Sequence, residues 1–173
     1  MNAGHVGGKP AQIGARVNSR FVGVVGVVLA LWMALGRWPF GIGGSLSWWY
    51  VPSIGLIFAA LQLWLARRMT VTRERGKRTG RSTIVALILA WVCALGFGLT
   101  VPDLANGKLE SILSLASGSA FSTEMSIALC NPLGIIAFAL AITALAFSYA
   151  DSRDPKPEVD EELEGTMVAH PLG

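Results

Sequence analysis

The sequence predicts an all-α fold, a polytopic membrane protein built as a bundle of four transmembrane helices. Hydrophobic residues make up 53% of the 173-residue chain and charged residues only 14%, against roughly 25% charged residues in an average soluble domain. The charged side chains are also segregated, because none occurs in four apolar stretches, which are 21–36, 48–66, 82–102 and 125–150. A soluble bundle would show a polar face on each helix, and none of the four stretches has one.

Length decides which stretches can cross a bilayer as helices. An α-helix rises about 1.5 Å per residue and needs about 20 residues to cross the hydrocarbon core. The last three stretches meet that length, whereas the first has 16 residues and is short. Arg37 reaching outward, with Trp38 and Phe40 at the headgroups, would lengthen the first span. We therefore predict a membrane domain over residues 21–150 with spans at 21–40, 48–66, 82–102 and 125–150.

Basic residues orient the predicted spans. The side that carries both chain ends and the loop after the second span holds 12 of the 14 Lys and Arg residues, and the other side holds only Arg37 and Lys108. The positive-inside rule places the basic side in the cytoplasm. We expect a multi-pass protein of a bacterial cytoplasmic membrane with two disordered cytoplasmic tails, a basic one at 1–20 and an acidic one at 151–173.

Small residues predict how the helices pack. Lipid removes the hydrophobic drive between helices, so close backbone contact at Gly, Ala and Ser takes over. Such residues recur at every third or fourth position in the third and fourth spans, which predicts that these two spans pair with each other. Homodimerisation through the same stripes is the alternative. The stripes are Ala86, Ala90, Ala94 and Gly98, and Gly134, Ala137, Ala141, Ala144 and Ser148.

The loop between the second and third spans is strongly basic. Its seven Lys and Arg residues accompany a single acid, Glu74, and each such base beside a membrane attracts anionic headgroups by about 1 kcal/mol. We predict that this loop binds membrane lipid, and we expect no nucleic acid because no folded reader is present. The acidic tail is expected to fold back on the loop by a diffuse attraction. The predicted lipid-binding residues are Arg67, Arg68, Arg73, Arg75, Lys77, Arg78 and Arg81.

Chemistry-bearing residues are scarce. The two histidines, His5 and His170, lie in the tails, and no spacing typical of zinc, haem or diiron sites occurs. Cys93 and Cys130 differ in predicted depth by about one turn, which favours two buried thiols over a disulfide. No phosphate-binding GxxxxGK[ST] loop is present. The sequence therefore predicts neither an enzyme nor a cofactor.

Polar groups inside the predicted spans are the remaining candidates for a site. No Asp, Glu, Lys, Arg or His lies within the four apolar stretches, although transport usually requires one. Pro132 lacks an N–H and would free the carbonyl of Ala128, so an ion or polar solute could bind near Asn131. Gln62 is the second candidate. The alternative reading of Asn131 is a hydrogen bond to a neighbouring helix.

The outer loops carry three further predictions. Arg37, Asp103 and Glu124 all fall at the outer ends of spans, where an ion pair would tie the two helical hairpins together. In the third loop, apolar residues recur at helical spacing from Leu109 to Ala116, which predicts a short amphipathic helix. The glycines of WPFGIGGSLS predict a flexible turn in the first loop.

Residues 22–100 resemble small bacterial membrane domains of unknown function. The shared layout is two glycine- and alanine-rich spans, a basic loop of the type ARRMTVTRERGKRTGR, and another apolar span. The resemblance implies no catalytic residues. The residues themselves lead to the first function hypothesis, a non-enzymatic accessory or scaffold protein that binds partner membrane proteins through small-residue faces and anionic lipid through its basic loop. A small oligomeric transporter or channel for an ion or polar solute is the second hypothesis.

Overall fold

The computed structural model describes residues 18–105, 108–118 and 122–153, and most of them are helical. The long helices are α1 (Ser19–Leu35), a 29-residue helix over Leu46–Glu74, α4 (Arg81–Thr100) and α6 (Thr123–Asp151). Leu46–Glu74 consists of α2 (Leu46–Tyr50), one π-helical turn (Val51–Gly55) and α3 (Leu56–Glu74). The short elements are a 3₁₀ turn (Trp38–Phe40), the strands β1 (Asp103–Ala105) and β2 (Lys108–Glu110), and α5 (Ile112–Ser117). Most of the predicted disordered tails lies outside the described residues.

Three of the long helices are long and apolar enough to cross a membrane, which confirms the predicted helical class. They are Leu46–Glu74, Arg81–Thr100 and Thr123–Asp151. α1 is also apolar but has 17 residues, a length of about 25 Å. The expectation that Arg37 reaches outward to lengthen this span is not met, because its side chain is only 1% exposed.

The second long helix continues beyond the end of its apolar run. The predicted span stops at Ala66, but α3 continues through Arg67 and Arg68 to Glu74. Much of the predicted basic loop is therefore helical. Arg is a good helix former, so the charges mark a change of surroundings without ending the helix. Gly76 then turns the chain in a left-handed conformation, with φ of 72°.

α1 and α3 run antiparallel along the whole length of α1. At one end, the hydroxyl oxygens of Ser19 and Thr70 lie 2.9 Å apart. At the other end, the π-helical turn approaches closely, since a Cβ on Gly55 would lie 3.1 Å from the Cβ of Ala34. α1 therefore lies beside residues 55–70 of the second long helix.

α4 and α6 form the most extensive helix pair, as the small-residue stripes predict. The close approach extends to the C-terminal half of α4 and the N-terminal half of α6, where Gly96 lies beside Leu133 and Gly134 beside Phe97. The stripes serve packing within one chain, so the homodimer alternative loses this surface. The buried members are Ala86, Ala90, Ala94 and Gly98 of α4, and Ala137, Ala141, Ala144 and Ser148 of α6.

The segment between α4 and α6 begins as a β-hairpin and continues as the short helix that the sequence predicts, which starts at Ile112. β1 and β2 pair antiparallel with Leu104 opposite Leu109. A helix forms only over Ile112–Ser117, where the Oγ of Ser111 accepts a hydrogen bond from the N–H of Ser114 at 3.0 Å. The sequence carries Asn-Gly between the two strands, a strong hairpin signal, so Leu109, the first residue of the predicted helix, lies in β2 instead.

Segments far apart in the chain meet at two opposite ends of the bundle. The basic end is the one where the starts of α1 and α4 meet the ends of α3 and α6, through the contacts of Ser19 with Thr70 and of Gly80 with Asp151. The ion-pair end is the one where Arg37, after α1, meets Asp103, after α4. The basic segment, which runs from Arg67 to Arg81, and the described ends of the chain therefore share one end of the bundle, as the predicted topology requires.

Candidate functional site

Of the seven predicted lipid-binding residues, two contact the end of α6 and five are exposed. Arg68 lies with its guanidinium carbon 3.7 Å from the ring centroid of Tyr149, and its Nη2 donates to the Oγ of Ser152 at 3.0 Å. Lys77 Nζ donates to the backbone oxygen of Ser152 at 3.1 Å. Cations are favourable at the C-terminal end of a helix such as α6, where the helix dipole is negative. The exposed members of the set are Arg67, Arg73, Arg75, Arg78 and Arg81.

Asp151, the last residue of α6, lies at the same end of the bundle and binds the start of α4. Its Oδ2 accepts hydrogen bonds from the backbone N–H of Gly80 at 2.8 Å and from the Oγ1 of Thr83 at 2.7 Å. Gly80 is the N-cap of α4 and has no side chain, so Asp151 supplies the capping acceptor from 71 residues away. The first residue of the acidic tail thus binds the basic segment by direct hydrogen bonds, and residues 154–173 lie outside the described residues.

Gln62 lies fully buried in the interior of the bundle. Its Oε1 accepts a hydrogen bond from Nε1 of Trp91 on α4 at 3.2 Å. Its Nε2 has no partner among the described residues, and a buried unsatisfied group of this kind costs about 1–3 kcal/mol. Gly26 makes room for the amide, because a Cβ there would collide with the Gln62 side chain. Gln62 therefore makes a hydrogen bond between helices.

Asn131 lies on the outside of α6, apart from Gln62. It is exposed and lines a groove of about 520 Å³ whose other lining residues are apolar. α6 continues through Pro132 as one helix, so the chain is not opened into a separate binding loop there. The two predicted polar residues are therefore in different surroundings, one enclosed between helices and one open at the surface.

At the ion-pair end, two of the three charged residues that the sequence singles out form an ion pair. Arg37 Nη1 lies 3.7 Å from Oδ2 of Asp103, and the two side chains are 1% and 0% exposed. The guanidinium also donates to the backbone oxygens of Pro102 at 3.0 Å and Ala34 at 3.2 Å. Glu124, the third member, is exposed in the first turn of α6. The predicted tie between the two hairpins is therefore an Arg37–Asp103 pair.

Asp103 also holds the first loop in place. Its Oδ2 accepts from the Oγ of Ser47 at 2.6 Å and from the N–H groups of Gly44 at 3.0 Å and Ser47 at 3.2 Å. Burial disfavours the ionised carboxylate, yet these hydrogen bonds and the charge of Arg37 outweigh it and hold the pKa of Asp103 below its ordinary value. A Cβ on Gly44 would collide with the backbone of Leu104. This loop is thus closely packed, in contrast to the flexible turn that its glycines predict.

Metal-binding and thiol groups add little to these arrangements. Among the residues that the structure describes, no three His, Cys, Asp or Glu side chains lie close enough together to hold a metal ion. Cys93 is half-buried, Cys130 is buried, and both are free thiols. Comparisons of the chain with protein-family models, with curated protein sequences and with solved structures each found no match.

Proposed function

We propose that the protein is a four-span integral protein of a bacterial cytoplasmic membrane that serves as a non-enzymatic accessory or scaffold protein for other membrane proteins. The observation that carries this proposal is the distribution of exposed residues: charged side chains lie at the two ends of the bundle and apolar side chains cover its sides. Large exposed apolar patches mark membrane or protein contact. Each long helix contributes; Val24, Leu56, Val92 and Ile135 are 63%, 67%, 59% and 71% exposed.

The first span requires its own argument, because it is formed by α1, which is about 25 Å long, whereas the hydrocarbon core is about 30 Å thick. α1 lies beside residues 55–70 of a helix that is long enough to span. A bilayer that surrounds this helix would therefore surround α1 at the same level. The small mismatch can be absorbed by local thinning of the bilayer and by Arg20 extending to the headgroups.

The distribution of basic residues supports an orientation with both termini in the cytoplasm. The basic end carries Arg20, the segment from Arg67 to Arg81, and Arg153. The ion-pair end carries Lys108 and the buried Arg37. Under the positive-inside rule the basic end faces the cytoplasm, where its exposed arginines would attract anionic lipid by about 1 kcal/mol each.

Partner binding would use the sides of the bundle, because the small-residue stripes of α4 and α6 are buried within it. The groove beside Asn131 is the best candidate. An exposed amide on an apolar surface gains about 1 kcal/mol from a hydrogen bond to a neighbouring membrane helix. We therefore expect a partner helix to lie in this groove with a polar group opposite Asn131.

Single-cysteine labelling in intact cells tests the topology. In a background carrying Cys93→Ala and Cys130→Ala, the variants Asn18→Cys and Arg75→Cys should resist a membrane-impermeant maleimide until the cells are lysed. The variant Trp38→Cys should react in intact cells. Labelling of position 75 from outside would overturn the orientation, and labelling of positions 18 and 38 from the same side would remove the first span.

Purification in mild detergent followed by mass analysis tests the accessory role against the transporter or channel alternative. Copurifying foreign membrane proteins that are lost in the Asn131→Leu variant would support the accessory role. The matched control is Ile127→Leu, one turn away on the same helix, which should retain the partners. A homo-oligomer of this chain that passes ions or a polar solute in liposomes would replace the accessory role with the transporter.

A further inference from the structure

We infer that the groove between α1 and α3 at the basic end binds one anionic glycerophospholipid, with the phosphate at Arg20 and Arg67 and an acyl chain between the helices. This inference rests on the membrane insertion proposed above. It goes further by giving lipid binding a single place in the fold, which the exposed arginines of the basic segment alone do not provide.

The groove has the shape that an acyl chain requires. It has a volume of about 590 Å³. Gly23 lets the helices approach at its floor, where a Cβ would lie 3.5 Å from the Cβ of Ala66. The walls include Val24 and Val28 of α1 and Leu63 of α3, which are 63%, 57% and 51% exposed. From Arg20 to Val28 the groove runs about 12 Å along α1, so it can hold a substantial part of one chain.

The mouth of the groove has the charge that a phosphate requires. Arg20 and Arg67 both line it, and both are exposed. Among the described residues neither guanidinium has an acidic partner. Guanidinium groups bind phosphate oxygens through two parallel hydrogen bonds. The hydroxyls of Ser19 and Thr70 also line the mouth, and the N-terminal end of α1 adds the positive end of a helix dipole.

The combination of an apolar groove and a cationic mouth selects the occupant. A helix of a partner protein would need an acidic residue placed at the mouth and an apolar face of matching shape. An anionic phospholipid carries both features in one molecule and is abundant in the bilayer that would surround the bundle. The groove beside Asn131 differs from this groove in charge, because its lining residues include no charged side chain that could bind a phosphate.

Native mass spectrometry of the full chain in detergent tests the charges at the mouth. The protein is titrated with phosphatidylglycerol or with phosphatidylcholine of the same acyl chains. Arg20→Gln combined with Arg67→Gln should lower the affinity for phosphatidylglycerol about tenfold and leave phosphatidylcholine binding unchanged. Arg73→Gln combined with Arg75→Gln removes two charges from the same end outside the groove, and it should change either affinity less than about twofold, since no charged membrane surface is present.

A second pair of variants tests the shape of the groove without changing its charge. Val24→Trp fills the groove and should lower the affinity for phosphatidylglycerol about tenfold. Val85→Trp is the matched control, because Val85 lies one turn into α4 at a similar depth, is 55% exposed and lies outside the groove. This control should bind phosphatidylglycerol as the wild type does.

Four results with the full chain would overturn the inference. They are equal losses in the two charge pairs, unchanged binding in the groove variants, equal losses in the two tryptophan variants, and a wild type that binds both lipids equally. Selective binding that appears only after residues 1–17 are removed would assign the groove to that segment and would also overturn it. Cysteine labelling tests membrane insertion separately, so failure of the groove and failure of the proposed function are distinguishable.

Discussion

The two ends of the bundle use the same device under different conditions. At each end an aspartate accepts a hydrogen bond from the backbone N–H of a glycine that precedes a helix in a different part of the chain. Asp103 accepts from Gly44, and Asp151 accepts from Gly80. Asp103 is fully buried beside Arg37, whereas Asp151 is partly exposed. The chemistry of the cap is shared, and its access to water is not.

This difference teaches what each end can do. A buried charge must find its partners within the protein, so the ion-pair end is closed by one dense polar cluster. Among the buried side-chain atoms that the structure describes at this end, only Nε of Arg37 lacks a partner. Water can solvate the charges of the basic end, which therefore keeps arginines such as Arg67 and Arg73 exposed. The first end holds the two hairpins together, and the second presents the surface that we propose binds lipid.

The largest effect is expected from Asp103→Ala. The change leaves the Arg37 charge buried without its counterion and orphans the N–H groups of Gly44 and Ser47. We expect a loss of about 3–5 kcal/mol in the free energy of unfolding, measured by tryptophan fluorescence in detergent. Glu124→Ala is the matched control at the same end, and it should cost less than about 0.5 kcal/mol because the side chain is exposed. Equal losses in the two variants would remove the distinction between buried and exposed charge.

A smaller effect is expected from Asp151→Ala at the basic end. Loss of a helix cap costs about 0.5–2 kcal/mol, and water can reach the uncapped N–H of Gly80. Asp151→Asn should recover most of the stability in the same unfolding assay, since its amide oxygen can still accept that hydrogen bond. A loss as large as that of Asp103→Ala would show that burial does not set the difference between the ends.

Acid should act on the ion-pair end through Asp103. Its pKa is lower in the folded protein than in the unfolded chain, so the ionised carboxylate stabilises the fold above the unfolded value and this contribution is lost as the pH falls through the folded value. The denaturant concentration at which half of the wild-type protein is unfolded should therefore decrease as the pH falls below about 4. Asp103→Asn should flatten this part of the profile, whereas Glu124→Gln should retain it. An unchanged profile in Asp103→Asn would contradict the assignment.

The smallest effect is expected from the acidic tail. Removal of residues 154–173 keeps the Asp151 cap and deletes six acids and one base. If the tail competes with lipid for the basic end, binding of a fluorescent phosphatidylglycerol to the solubilised protein should tighten roughly threefold at low salt, and the difference should vanish at high salt. A neutral phosphatidylcholine probe is the control. An unchanged affinity would restrict the role of the tail to Asp151 and Ser152.

The sequence by itself determined the apolar helices, the common end of the basic segment and the described ends of the chain, and the pairing of α4 with α6. These features follow from properties that are read locally along the chain. An uncharged run marks a candidate span, and a stripe such as Ala86 to Gly98 repeats with the helical period. The Arg37–Asp103 pair was also accessible, because it required only that α1 and α4, which the two residues respectively follow, run in the same direction.

The tertiary structure alone decided which distant groups complete each polar site. The sequence around Gly80 and Gly44 does not identify Asp151 and Asp103 as the acceptors, since each hydrogen bond depends on how helices that are distant in the chain pack together. The same reason applies to Gln62, whose partner Trp91 lies on another helix, and to the groove between α1 and α3. Apolar patterning is local along the chain, whereas a hydrogen bond between distant segments exists only after the helices have packed.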